Sequence, residues 1–164
     1  MSTDHPHRYD FFLSFTGVDM TWAEWIADRL TTMEDLHGRP CRVLFQKWDF
    51  VPGSNWVDMM DRGVRLCARI VPVLSPDYLD ACPYGSAEWQ AAWQSDPNGA
   101  ARRLVPVRVR PCDPTGLLGA IVYIDLVGHH ETTAMSVLHD GMRAAVHGRR
   151  ARRPPTFPSG TPLR

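Results

Sequence analysis

The chain has 164 residues, 44% of them hydrophobic, which suits a single domain with a core of ordinary size. Its formal net charge is zero, but residues 148–164 hold five arginines and no acid, so residues 1–147 carry 13 basic against 18 acidic side chains. An acidic body argues against a general nucleic-acid binder. The sequence contains no apolar run near the roughly 18 residues of a membrane span, so we expect no membrane contact.

Short apolar segments alternate with helical patterns along the chain. Strands are predicted at 9–15, 41–46, 68–74, 103–109 and 120–127. Helices are predicted at about 21–33, 55–66, 76–83, from 86 onward and at about 131–147, with a degraded helix near 112–119. This alternation predicts a flavodoxin-like three-layer α/β sandwich, in which helices cover both faces of a five-stranded parallel sheet of order 2-1-3-4-5.

Three helix starts have recognisable capping residues. Thr21 and Glu24 have the spacing of a capping box, Asn55 can cap the next helix, and Ser75-Pro76 places a cap before a proline at the first helical position. Each pattern predicts where a helix begins.

The two ends of the chain differ from its middle in composition. Residues 1–7 are a short polar lead-in, and residues 148–164 are rich in Arg and Pro, which predicts a disordered tail or linker. The folded domain is therefore expected at 8–147. The four cysteines form no CxxC pair, which favours reduced thiols and a cytoplasmic location.

Ligands of such sheets bind at the carboxyl ends of the strands. This rule selects Ser14, Phe15 and Thr16 after the first strand, residues 46–53 after the second, and the segment from Ser75 onward after the third. Glu88 lies in that third segment.

Several common kinds of site are missing from the sequence. It contains no GxxxxGK[ST], no GxGxxG after a strand and no GxSxG, so phosphate loops and the hydrolase elbow are excluded. The run His129-His130-Glu131 has no third ligand at a suitable spacing, and we expect no metal site.

Four segments in order resemble signatures of the Toll/interleukin-receptor (TIR) domain: YDFFLSF, WDFVPGSNW, LSPDYL and LVPVRVRPCDPTGLLGAIVYIDL. The last segment resembles the TIR heads of actinobacterial multidomain proteins. The resemblance covers residues 8–147 and agrees with the predicted topology.

The resemblance implies one of two functions. Some TIR domains are adaptors that only assemble, and others cleave NAD⁺ with one Glu preceded by an aromatic residue four positions earlier. That pair would be Glu88, as the catalytic residue, and Tyr84. NAD⁺ is then a substrate, and no cofactor is needed. Phe15 and Trp48 could join Tyr84 in stacking on the substrate's rings, and Gln46 could hydrogen-bond to it, beside Ser14 and Thr16.

The loop after the second strand has two interpretations. The resemblance to TIR domains implies that this loop contacts a neighbouring subunit and that self-association activates the protein. The contact residues would be Asp49, Phe50, Pro52 and Gly53. The same residues can simply form a turn.

Glu88 likewise has a structural alternative, since an acid near a helix N-terminus is stabilising. A nucleotide-binding domain without turnover is the third hypothesis.

Overall fold

The structure is a computed structural model that describes residues 9–81 and 87–158. Its strands are β1 (Tyr9–Ser14), β2 (Val43–Leu44), β3 (Cys67–Leu74), β4 (Val107–Arg108) and β5 (Ile124–Asp125). Its helices are α1 (Met20–Thr31), α2 (Gln46–Asp49), α3 (Trp56–Leu66), α4 (Pro76–Ala81), α5 (Ala87–Ser95), α6 (Gly116–Gly119) and α7 (Glu131–His147), with a 3₁₀ turn at Gly17–Asp19.

All neighbouring strands pair in parallel in the order β2-β1-β3-β4-β5, which confirms the predicted sheet. The pairing is strongest in the middle, where β1 and β3 match from Tyr9↔Cys67 to Ser14↔Pro72. Each of the other three pairs has a register of two residues. The sheet is therefore built around its two longest strands.

Alternate residues of β1 divide the core between the two faces of the sheet. Phe11 and Leu13 pack with Ile26 of α1 and Leu138 of α7. Phe12 points to the other face, in a cluster whose other buried members include Leu44, Ile70, Leu74, Tyr78, Ala92 and Leu118. Side chains of a strand alternate between faces, so one apolar run supplies both cores.

The first helix begins earlier than its sequence pattern predicts. A 3₁₀ turn at Gly17–Asp19 leads directly into α1, whose N-cap residue is Asp19. The capping box at Thr21 is therefore wrong, and the Glu24 carboxylate instead pairs with Lys47 at 2.6 Å. The other two caps are confirmed, because Asn55 accepts from the Asp58 amide at 3.0 Å and Ser75 from the Tyr78 amide at 3.1 Å.

The outer strands are shorter than predicted, for two local reasons. After Leu44 the Asp49 carboxylate accepts the Phe45 amide at 2.8 Å, and the chain turns into α2 at Gln46 instead of continuing as strand. In the fourth segment Leu104 makes a single bridge to Ile70 before Pro106, and the ladder resumes only at Val107. Proline cannot donate to a ladder, which explains that interruption.

The described helices include none that is both long and apolar enough to cross a membrane. Residues 151–158 adopt neither helix nor strand. In this segment Arg153 forms an ion pair with Asp140 of α7 at 2.9 Å. The lead-in at 1–7 lies outside the described residues.

Candidate active site at the carboxyl edge of the sheet

A buried carboxylate, Asp19, joins the loops that leave three strands at this edge. Its side chain is 0% exposed. One carboxylate oxygen accepts hydrogen bonds from the hydroxyls of Thr16, at 2.9 Å, and Ser75. The other oxygen accepts from Nε of Arg110 at 3.1 Å and from a second nitrogen of the same guanidinium. Thr16 follows β1, Ser75 follows β3 and Arg110 follows β4, so one acid ties the three loops together.

The balance of forces on Asp19 keeps it ionised. Burial alone would raise the pKa of Asp19, but hydrogen bonds from Ser75, Arg110 and Thr16 outweigh burial and hold that pKa below its ordinary value. In return, the hydrogen bond to Asp19 raises the pKa of Arg110. A buried charge is tolerated only when it is paired and hydrogen-bonded, and Asp19 satisfies both conditions.

Ser14 ends β1 beneath this network. Its side chain is buried, and its hydroxyl and the Tyr78 hydroxyl are 2.9 Å apart. The Tyr78 amide donates to Ser75, which in turn donates to Asp19. Of the three residues predicted after β1, Ser14 and Thr16 thus take part in one hydrogen-bonded network that fixes the start of α4.

The third predicted residue, Phe15, belongs to a row of aromatic rings. Phe15 and Phe45 have ring centroids 5.5 Å apart, and Phe45 meets Trp48 edge-on at 5.0 Å. Trp48 is 40% exposed. Such contacts are typical of packed aromatic pairs. The structure therefore links Phe15 and Trp48 through Phe45, which sequence reasoning did not select.

Gln46 lies at the first position of α2, beside that row. Its side-chain amide donates to the sulfur of Met60 at 3.3 Å. Sulfur is a weak acceptor, so this amide can exchange its partner for a better one at small cost.

The loop predicted as an interface has a fixed base and an exposed tip. Asp49 holds the base through the Phe45 amide, and the Phe50 amide donates to the Gln46 carbonyl at 2.9 Å. Pro52 and Gly53 form the tip, where Gly53 has φ +92° and Val51 is 58% exposed. A positive φ of this kind favours glycine. The structure thus supports the turn interpretation for Asp49, while the tip presents apolar surface.

Glu88 is the second residue of α5, the helix that follows α4 and the carboxyl end of β3. From there α5 runs to Ser95, and the next residue, Asp96, accepts the Arg103 amide at 3.2 Å ahead of β4. The start of α5 therefore lies toward the carboxyl edge. The side chain of Glu88, and the whole of Tyr84, lie outside the described residues.

Sequence reasoning missed Asp19 and Arg110. Both lie in segments that follow strands at the edge where ligands bind, and that position is the signal that could have selected them. The sequence pattern does not predict that Asp19 and Arg110, about ninety positions apart, form a pair. Arg108 forms a second pair at this edge, with Asp125 of the neighbouring strand at 2.7 Å.

The described residues contain no cluster of three or more His, Cys, Asp or Glu side chains suited to a metal ion. A cavity of about 570 Å³ lies away from the carboxyl edge, beside the residues that precede β4 and β5 and those that follow α7. Leu104, Tyr123 and Ala145 line it, and Arg102, Arg149 and Arg150 border it. Ligands of parallel sheets bind at the strand ends, which lie at the opposite edge.

The order 2-1-3-4-5 and a polar edge at the strand ends define a flavodoxin-like α/β domain with its candidate site above β1 and β3. The family model for the TIR domain matches residues 11–138, and the chain belongs to this family. No curated protein is similar enough in sequence to count as a relative.

Three solved structures illustrate the likeness of fold. The TIR domain of the Toll-related receptor TRR-2 from Hydra magnipapillata is 17% identical, with a TM-score of 0.56, over 85% of this chain and 98% of that one. A TIR-STING receptor from C. gigas is 20% identical, with a TM-score of 0.56, over 82% of this chain and 41% of the receptor. The same receptor in complex with 2′,3′-cGAMP is 22% identical, with a TM-score of 0.54, over 82% of this chain and 40% of the receptor. The chain thus spans about two fifths of that receptor.

Proposed function

We propose that this TIR domain is an NAD⁺ nucleosidase that cleaves the bond between nicotinamide and ribose and is activated by self-association. The observation that carries the proposal is the position of Glu88, at the start of α5 in the segment that follows β3. The start of α5 lies toward the edge at which parallel α/β sheets bind ligands.

One carboxylate is enough for this reaction. Ordinary glycosidases need a second carboxyl group to protonate the leaving group. In NAD⁺ the bond from ribose C1′ to the pyridinium nitrogen breaks with both electrons going to nitrogen, and nicotinamide leaves as a neutral molecule. Water then attacks C1′ and loses a proton, giving ADP-ribose. Glu88 would stabilise the positive charge that develops on the ribose in the transition state.

The remaining parts of the proposed site are substrate contacts. Trp48 is partly exposed and packs edge-on against Phe45, so its ring could stack on a planar ring of the substrate. Tyr84 would add another. The proposal includes a role in bacterial immune or stress signalling in the cytoplasm, as the head of a larger multidomain protein, and that part rests on the family resemblance.

The test is to incubate the purified protein with NAD⁺ and follow free nicotinamide, at several protein concentrations and after clustering on a surface. Glu88→Ala should lower the rate about 100-fold or more. Glu34→Ala is the matched control, because Glu34 is exposed in the loop before β2, at the other end of the strands. Release that rises faster than linearly with wild-type protein would support activation by self-association. No release from folded, clustered protein would contradict the proposal.

The second candidate is an adaptor without catalysis, and the exposed tip of the loop after α2 favours it. Val51 and Trp48 present apolar surface next to the turn at Gly53, and exposed apolar surface of this kind suits contact with another protein. An adaptor would keep its assembly in Glu88→Ala and lose it when Val51 is replaced by Asp. Cross-linking and light scattering of both variants test the assembly, and nicotinamide release from the wild-type protein, which an adaptor lacks, separates the two candidates.

A further inference from the structure

Among the described residues, Arg110 is the one cation of the Asp19 network, and it faces solvent in part. Its side chain is 40% exposed although Asp19, which holds it, is fully buried. A second carboxylate, Asp77 in the first turn of α4, lies 3.3 Å from the same guanidinium. Arg110 thus has one buried partner and one exposed partner.

The two partners hold Arg110 with different strength. One carboxylate oxygen of Asp19 accepts hydrogen bonds from two nitrogens of the guanidinium. The other oxygen accepts hydrogen bonds from the hydroxyls of Thr16 and Ser75. This paired geometry orients the planar fork of the guanidinium. Asp77 is 52% exposed and makes a single longer contact. An exposed pair of that kind contributes little and is easily exchanged.

The charges suggest what exchanges with Asp77. Arg110 and Asp19 together are neutral, and Asp77 brings the group to one negative charge. If the Asp77 side chain rotates toward solvent, the outward edge of the Arg110 guanidinium becomes free to bind another anion. Arginine forks match phosphate oxygens well, and the sequence has no glycine-rich loop to perform that task.

We propose that Arg110 binds the diphosphate of the dinucleotide and that Asp77 is the counter-ion which the diphosphate displaces. This inference rests on the proposed function, because it identifies the anion-binding part of the same site. Asp19 is a positioning residue in this arrangement, since it acts on the ligand only through Arg110.

The proposal makes an uncommon prediction for Asp77. Asp77→Asn removes the competing anion, so ADP-ribose should bind about three- to fivefold more tightly. Arg110→Lys keeps the charge but loses the fork, so ADP-ribose should bind about tenfold more weakly. Asp80→Asn is the matched control, because Asp80 is an exposed acid of the same helix. Adenosine, which has no phosphate, should bind all four proteins equally.

The measurement is calorimetric titration of ADP-ribose and adenosine into each protein at low and moderate salt. Equal affinity of the wild type, Asp77→Asn and Asp80→Asn for ADP-ribose would overturn the inference, and so would absence of binding to the wild type. If Arg110→Lys does not fold, the comparison of Asp77→Asn with Asp80→Asn still decides.

Nicotinamide release, measured on the same samples, separates this inference from the proposed function. The expected binding pattern without any release would leave Arg110 as a diphosphate contact and reject catalysis. Release that depends on Glu88, with unchanged affinities in the Arg110 and Asp77 variants, would keep catalysis and reject the diphosphate contact.

Discussion

The two edges of the sheet are built in opposite ways. At the carboxyl edge the buried Asp19 carboxylate accepts hydrogen bonds from two hydroxyls and an arginine, and these bonds connect the loops. At the other edge, beside the residues that precede β4 and β5, apolar side chains line an open cavity and three arginines border it. The first edge is tightly connected and the second is roomy. Ligands of parallel α/β sheets bind at the strand ends, so the connected edge, and not the edge with the cavity, holds the candidate site.

The largest expected effect on stability comes from removing the acid of the connected edge. Asp19→Ala leaves the Thr16 and Ser75 hydroxyls without their acceptor and leaves Arg110 with only the exposed Asp77. It should lower the free energy of unfolding by about 3 kcal/mol. Urea denaturation measures this loss. Asp61→Ala, which breaks an exposed pair with Arg65, should cost less than about 1 kcal/mol. Equal losses in the two variants would mean that the buried network is no stronger than a surface ion pair.

At the edge beside the cavity, the free energy of unfolding should depend on side-chain volume and not on charge. At Gly141 of α7 an added Cβ would lie 2.6 Å from Ile124 of β5. Gly141→Ala should therefore cost about 1–3 kcal/mol through overpacking, with little dependence on salt. Gly17→Ala is the control, since a Cβ there meets nothing within 4 Å. Thermal unfolding of both variants checks the contrast, and a stabilised Gly141→Ala protein would contradict it.

Acid should loosen the connected edge in a way that depends on Asp19. The pKa of Asp19 is lowered in the folded protein, so its contribution is complete above the unfolded value of about 3.9. The contribution is lost as pH falls through the lower folded pKa. Asp19→Asn should remove this part of the pH dependence. Stability measured from pH 5 to pH 2 gives the comparison, and identical slopes in both proteins would show that Asp19 does not titrate with folding.

The smallest effect is on thiol reactivity, which reports on the two edges separately. Burial raises the pKa of Cys41, which precedes β2, to about 12, and also raises the pKa of Cys67, which begins β3. Cys112, which follows β4, is only half-buried. In a Cys82→Ser background, Cys112 should react first with an aromatic disulfide at pH 8, because thiolate is the reactive species. Faster labelling of Cys67 would indicate that the start of β3 opens.

Periodicity and chain order predicted the sheet and its topology, because buried parallel strands are continuous apolar runs such as 68–74. The limits of the outer strands were not predictable from local pattern. Asp49 turns the chain at Phe45 through a side-chain contact, and such a contact competes with strand pairing without changing the apolar pattern. The early start of α1 has the same origin, since Asp19 serves a network that reaches to Arg110.

The candidate site was predictable in position more than in composition. The strand-end rule selected Ser14, Thr16 and Trp48, which all lie near the carboxyl edge. It missed Asp19 and Arg110, because pairing between residues so distant in sequence follows from tertiary packing. The catalytic role of Glu88, the ring contact of Tyr84 and the subunit contact of Pro52 remain predictions.

The unequal strand lengths have a consequence for local opening of the molecule. The backbone ladder is concentrated between β1 and β3, and each outer strand adds only two paired residues. Amide hydrogens should therefore exchange slowest in these two central strands, and the margins of the sheet can open without global unfolding. Ser75 directly follows β3, and the turn that carries Asp19 follows β1 after two residues. Asp19 and Ser75 are thus attached to the two strands that should exchange most slowly, whereas Arg110 follows the short outer strand β4. Fraying of β4 should therefore release Arg110 first and leave the Asp19 and Ser75 part of the candidate site in place.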